Sequence, residues 1–286
     1  MSSQIPVWFI TAASSGFGKT IALEALSRGH HVIASARSTS RISDLASAGA
    51  TTLALDVTAP LSTIAEVAKS AASVHGYITH LVNAAGYILV GAVEETSPEE
   101  DLATFQTNVF GVLNVSKAFL PYLRASSGHR TITNFGSIGS WRGGAAYALY
   151  AGTKWAVSGI SESMRAELAP FGIVVTVVEP GYFRTGFLNQ GAQTSSAKRL
   201  ECYDETVVGA TRKALEKTDN NQPGDVKKGS KVIVDILTMQ GQAEGREVPL
   251  RIPLGNDAKE VIGGKCRETL GLLEEWDSIV TTTDLE

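Results

Sequence analysis

Only two cysteines occur in the 286 residues, Cys202 and Cys266, and they stand far apart with no motif spacing. A disulfide framework and a cysteine-based metal site are therefore not expected, and no metal is. No basic block exceeds two residues and the formal net charge is −4, which excludes the electrostatic footprint of a nucleic-acid-binding protein. Nor does any apolar run approach the ~20 residues that span a bilayer. The opening MSSQIPVWFIT lacks a cationic start, so no leader is expected and a cytoplasmic location is. Aromatics at 7% and charged residues at 19%, beside 43% hydrophobic residues, describe a globular chain with a large core. No proline-rich or low-complexity stretch divides it before about residue 185, so one domain over residues 1–286 is expected.

What the chain does have is alternation. Short β-branched runs (VWFIT, HVIASA, TLALDV) are separated by helical patterns (GKTIALEALSRG, LSTIAEVAKSAASV), and further strands follow at HLVNAA, RTITNF and IVVTVVEP. This order predicts an α/β fold with a doubly wound parallel sheet covered by helices on both faces. LRIPL near residue 250 makes seven strands. Long helices are predicted from about Pro98 to Leu123 and from about Ala146 to Ala169. From about 182 to 203 the chain becomes polar and glycine-containing with isolated aromatics, and reads as a mobile substrate loop over the open sheet end. Residues from about 204 to 286 form a variable C-terminal part, with helices near 204–218 and 225–238, the second started by Pro223-Gly224-Asp225, and a last one from Asn256-Asp257.

After the first strand, TAASSGFGKT is a turn of small residues opening a helix. Such a turn lets backbone amides approach a pyrophosphate where the helix dipole favours negative charge. Alone, it reads equally as a tight turn without a ligand; at the first crossover of a doubly wound sheet it marks a dinucleotide site. Asp56-Val57 follows the third strand, Asn83-Ala84-Ala85-Gly86 ends the fourth, Asn108 lies in the next helix and Pro180-Gly181 follows the sixth strand. Each has a dull reading as a cap, a turn or a polar helix residue.

Together and in this order, over roughly the first 190 residues, these motifs resemble the short-chain dehydrogenase/reductase family. Its Thr-Gly-x-x-x-Gly-x-Gly signature corresponds to Thr11-Ala12-Ala13-Ser14-Ser15-Gly16-Phe17-Gly18, with Ala12 in place of the first glycine. If that position needs a positive φ, alanine costs about 1 kcal/mol, too little to abolish binding. The resemblance implies a Rossmann fold in which Thr11, Ser14, Ser15, Gly16, Phe17, Gly18, Asp56, Val57, Asn83, Ala84, Ala85, Gly86, Pro180, Gly181 and Thr185 contact a nicotinamide dinucleotide.

YALYAGTKWAVSG holds two tyrosines ahead of one lysine. Tyr150 and Lys154 are one helical turn apart on one face, about 6 Å along the axis, whereas Tyr147 is about 10 Å from the lysine. Tyr150 is thus the partner. It completes the family's Tyr-x-x-x-Lys, with Ser137 thirteen residues upstream where the family keeps its catalytic serine. The resemblance implies that Ser137 holds the substrate oxygen, that Tyr150 exchanges its proton, that Lys154 tunes Tyr150 and grips the ribose, and that Asn108 orders a water on the proton path. A free phenol titrates near 10, and a neighbouring ammonium together with the positive oxidised nicotinamide is expected to lower that value.

Enzymes of this type that use NAD place an acid after the second strand; here the site reads Ala36-Arg37-Ser38. A guanidinium suits a 2′-phosphate, so NADP(H) is expected, with Arg37, Ser38 and Arg41 at the phosphate. Trp141, Tyr147, Tyr182, Phe183 and Phe187 surround the expected pocket entrance and point to an apolar, ring-bearing carbonyl or alcohol as substrate, though such aromatics also suit packing under the loop. The expectation is an NADPH-dependent carbonyl reductase. A cyclase, isomerase or lyase on the same scaffold, and a nucleotide-binding regulator without turnover, are its rivals. The family commonly pairs through helices matching 98–123 and 146–169, so a homodimer or homotetramer is expected.

Overall fold

Hydrophobic strand residues that alternate between two faces need a helical layer on each, and the computed structural model, which describes residues 4–189 and 192–285, has that arrangement. Among the described residues nine strands form: β1 (Val7–Ile10), β2 (His31–Ala36), β3 (Thr51–Ala54), β4 (His80–Asn83), β5 (Ile88–Val90), β6 (Arg130–Phe135), β7 (Ile173–Pro180), β8 (Gln193–Ser195) and β9 (Arg251–Leu254). Seven of them make one parallel sheet in the order β3-β2-β1-β4-β6-β7-β9. The order reverses between β1 and β4, leaving a crevice at their carboxyl ends.

The helices are α1 (Gly16–Ser27), α2 (Ser43–Ser47), α3 (Leu61–His75), α4 (Pro98–Phe105), α5 (Gly111–Ala125), α6 (Ala148–Leu168), α7 (Val207–Thr218), α8 (Val226–Thr238) and α9 (Asn256–Val280). Trp8 and Ile10 of β1 point to one face of the sheet and join Ile21 and Ala25 of α1 and Ile233 and Leu237 of α8. Val7 and Phe9 point to the other and join Ile64 of α3, Phe119 of α5 and Met164 of α6. Caps fix the starts: Ser97 and Glu100 form a reciprocal capping box ahead of Pro98, and Asp225 accepts from the Lys227 and Lys228 amides.

Two expectations are modified. The long helix from Pro98 is interrupted by a π-helical turn over Gln106–Phe110, separating α4 from α5. Between 182 and 203 the expected loop contains β8, which pairs in parallel with β5 as a second small sheet. Carboxylates hold this segment down. Buried Glu95 accepts from the amides of Ala92 and Leu200 and pairs with Arg212, while Glu100 accepts from the Ala197 amide. Both cysteines are exposed and unpaired. Among the described residues no helix is long and apolar enough to cross a membrane.

Candidate active site

A cavity of about 1210 Å³ opens over the carboxyl ends of the sheet strands and is roofed by the 182–189 segment and one face of α7. The turn after β1 forms its floor. Ala12 holds φ +50° and Gly16 φ +54°, and a Cβ on Gly18 would lie 2.8 Å from the Ala12 carbonyl oxygen. The position of the missing family glycine thus does require the left-handed region. Thr11 lies beneath the turn, where its Oγ1 accepts from the amides of Ala84 and Ala85 and so ties β1 to β4. Ser14, Ser15, Gly16, Phe17 and Gly18 reach the cavity. Among the described residues the N-cap Ser15 makes no side-chain cap hydrogen bond and the first turn of α1 carries no acid, so its amides and dipole face the cavity without a side-chain anion in competition.

Arg37 lies exposed on the cavity lip with Arg41, and among the described residues it forms no ion pair. Ser38 is not on the wall; its hydroxyl bonds that of Ser40 at 2.7 Å. Asp56 and Val57 line the adenosine side expected for the nucleotide. Asp56 accepts from the Thr58 hydroxyl and amide, at 2.7 and 2.9 Å, which with the Arg37 charge holds its carboxyl below the usual range. Asn83 does not reach the cavity: its amide donates to Asn134 Oδ1 at 2.9 Å and Ser116 Oγ at 3.1 Å and so couples β4 to β6 and α5. Ala84, Ala85 and Gly86 take the wall position beyond it.

Ser137, Tyr150 and Lys154 meet on one wall. The Tyr150 phenol faces the Ser137 side chain, whose Oγ accepts from the Gly139 amide at 3.0 Å. Lys154 Nζ donates to the Phe135 carbonyl at 2.7 Å and stands 5.6 Å from the Tyr150 ring centroid. Burial pushes the phenol up to about 12, with the nearby Ser137 side chain opposing, and burial lowers Lys154 to about 8. Without a nicotinamide in place, burial of the phenol outweighs the lysine, whose Nζ donates to the Phe135 carbonyl. Asn108, fully buried in the π turn, lies behind this wall. Its Oδ1 accepts from the Tyr87 amide, and its Nδ2 donates to the Tyr87 carbonyl and to Thr153 Oγ1. Thr153 in turn donates to the Tyr150 carbonyl at 2.7 Å.

Of the expected pocket aromatics, Tyr147, Tyr182, Phe183 and Phe187 line the cavity, Phe187 with its ring 5.8 Å from that of Tyr150. Pro180, Gly181 and Thr185 join them, and Thr185 packs over Gly16. Trp141 is a correction. Its indole donates to Glu179 at 2.7 Å and lies under the Arg251 guanidinium, away from the cavity, because a buried carboxylate there needs donors. What sequence reading missed is the inner face of α7: Val207, Thr211, Ala214, Leu215 and Thr218 line the cavity. Their spacing is helical, and that period was available as a signal.

Residues 6–196 match the family of short chain dehydrogenases. The chain belongs to that family. It is 36% identical over 274 residues to oxidoreductase BOA17 of Botryotinia fuckeliana, covering 94% of this chain and 95% of the relative. It is 34% identical over 218 residues to a 3-ketodihydrosphingosine reductase of Bacteroides thetaiotaomicron, covering 76% and 78%. The structure of a short-chain dehydrogenase from Streptomyces avermitilis superposes with a TM-score of 0.88 at 37% identity, over 99% of this chain and 100% of that one. This short-chain dehydrogenase is an oxidoreductase, and its seven-stranded doubly wound sheet is the family's fold.

Proposed function

We propose that this short-chain dehydrogenase reduces a ketone or aldehyde with NADPH. The observation that carries the reading is the Ser137, Tyr150 and Lys154 wall, set in one cavity with an uncapped α1 N-terminus and with Arg37 at its lip. The glycine-lined turn fits a dinucleotide, since the Gly18 position has no room for a side chain. When bound, the nicotinamide supplies the hydride. Ser137 offers its hydroxyl to the substrate oxygen. Tyr150, held neutral by burial, is a proton donor at neutral pH, which suits reduction better than oxidation. Lys154 carries a positive charge below about pH 8 and places it beside the phenol. Asn108 positions Tyr87 and, through Thr153, the backbone of Tyr150.

Arg37 would hold the 2′-phosphate, and the absence of an acid after β2 supports NADPH over NADH. An apolar, ring-bearing carbonyl compound fits the walls of Phe187, Leu188 and Leu215. The relative named as a ketone reductase is consistent with that chemistry. Pairing of two copies through the α4–α5 segment and α6 would cover Leu102, Phe110 and Trp155, which are 64%, 43% and 48% exposed.

The test is nicotinamide absorbance with a panel of cyclic and aromatic ketones. Net NADPH oxidation is expected. Product formation without it would indicate an isomerase or lyase, and binding without product a regulator. Tyr150→Phe should abolish nearly all turnover while leaving NADPH affinity close to normal, and Tyr147→Phe should be mild. An exchange of those two outcomes refutes the assignment.

A further inference from the structure

On the side of β7 that faces α6, Ile173, Val175 and Val177 are apolar and buried, yet the next residue in register, Glu179, is a fully buried carboxylate. Taking a carboxylate out of water is costly even when it is paired, and apolar residues of similar volume often hold such a site as well or better. Stability alone therefore gives no reason for an acid here. Glu179 stands behind the cavity wall, one residue before Pro180 and Gly181, which line it.

What the carboxylate joins are the pieces that carry the reacting groups. Its Oε2 accepts from the Trp141 indole at 2.7 Å, and Trp141 closes the short turn that Ser137 caps. Its Oε1 accepts from Ser158 Oγ at 2.9 Å, one turn along α6 from Lys154, and from Arg251 Nη1 of β9 at 2.5 Å. Arg251 lies 4.7 Å over the Trp141 ring and donates through Nε to Glu162 of α6 at 3.0 Å. The stem of Glu179 also presses on the strand end before Ser137, where a Cβ on Gly136 would lie 3.0 Å from its Cγ. The turn has one direct tie to α6, from Ser140 Oγ to the Lys154 carbonyl at 2.9 Å. One tie leaves the turn free to pivot; the second, through Glu179, removes that rotation. We propose that Glu179 is a positioning residue that holds Ser137 in register with Tyr150 and Lys154, an inference that rests on the reductase reading above.

The experiment compares wild type, Glu179→Gln, Trp141→Phe and the double variant, with a ketone that wild type reduces. Glu179→Gln keeps the volume but sets an N–H against one of the donors. A misplacement of about 1 Å costs on the order of a hundredfold in rate, so kcat should fall about ten- to hundredfold in each single variant. The KM for the ketone and the affinity for NADPH should stay unchanged, and the double variant should be no slower than Glu179→Gln, because both changes cut one link. A crystal structure of Trp141→Phe should show Ser137 Oγ displaced while the seven-stranded sheet superposes. Unchanged kcat in both single variants, with only the melting temperature lowered, overturns the proposal. So do losses that multiply in the double variant, or a loss confined to NADPH affinity. Should Glu179→Gln fail to fold, Trp141→Phe alone decides. If wild type binds NADPH but reduces no ketone, the reductase reading itself fails and this inference with it.

Discussion

Two alanine–glycine exchanges in the turn after β1 should move stability in opposite directions. Ala12 holds φ +50°, where an L-residue is destabilised by about 1–2 kcal/mol. Ala12→Gly removes that cost but adds unfolded-chain freedom worth about 0.4–1 kcal/mol, so a net gain between zero and about 1.6 kcal/mol is expected. At Gly18 an added Cβ would meet the Ala12 carbonyl oxygen at 2.8 Å and the Thr11 oxygen at 3.1 Å. Both are backbone atoms that cannot rotate away, so the turn must open. Overpacking of this kind costs about 1–3 kcal/mol, offset in part by the better helix propensity of alanine in α1. Urea unfolding of wild type and both variants, with equal slopes, reads the difference in midpoints. Dinucleotide titration of the same samples should show Gly18→Ala weakened and Ala12→Gly equal to or tighter than wild type. A destabilised Ala12→Gly or a neutral Gly18→Ala refutes this account of the turn.

Two further outcomes follow from charge. Arg37→Ala should lose roughly ten- to hundredfold in NADPH affinity with NADH unaffected, and Arg37→Asp more. Because Arg37 is exposed, titration of both cofactors at fixed low salt is the measurement; equal losses for the two would mean that Arg37 only supports its loop. Lys154, lowered to about 8 by burial, is charged below that pH and neutral above it. Reduction should therefore fall as pH rises through about 8, while Tyr150, raised to about 12, remains a proton donor. The linked stability has the opposite slope: between about 8 and the lysine's ordinary 10.5 the unfolded chain binds the extra proton, so folding gains as pH rises. A kcat/KM profile and melting curves over that range check both signs.

Local chemistry was legible in the chain itself. Alternation of VWFIT, HVIASA and RTITNF with amphipathic helices specified a two-faced parallel sheet, because period and crossover handedness leave few other arrangements. The four-residue spacing put Tyr150 and Lys154 on one helix face, and Asp225 marked a helix start by capping, whereas α9 begins at Asn256 after Gly255 with no side-chain cap. These are short-range properties, carried by neighbours within a turn.

Tertiary structure decided the rest. Asn83 and Thr11 carry site motifs yet lie behind the wall, since each satisfies polar groups between strands that only the sheet order brings together. Trp141 left the pocket for Glu179, a partner 38 residues away. The direction of the Tyr150 shift depended on the burial of the phenol, which Tyr182 and Tyr147 reinforce and Ser137 opposes. Residues 182–203 acquired a strand because β5 and buried Glu95 were there to receive it. Periodicity and spacing act within a segment, whereas desolvation and hydrogen-bond partnership are set by residues distant in the chain.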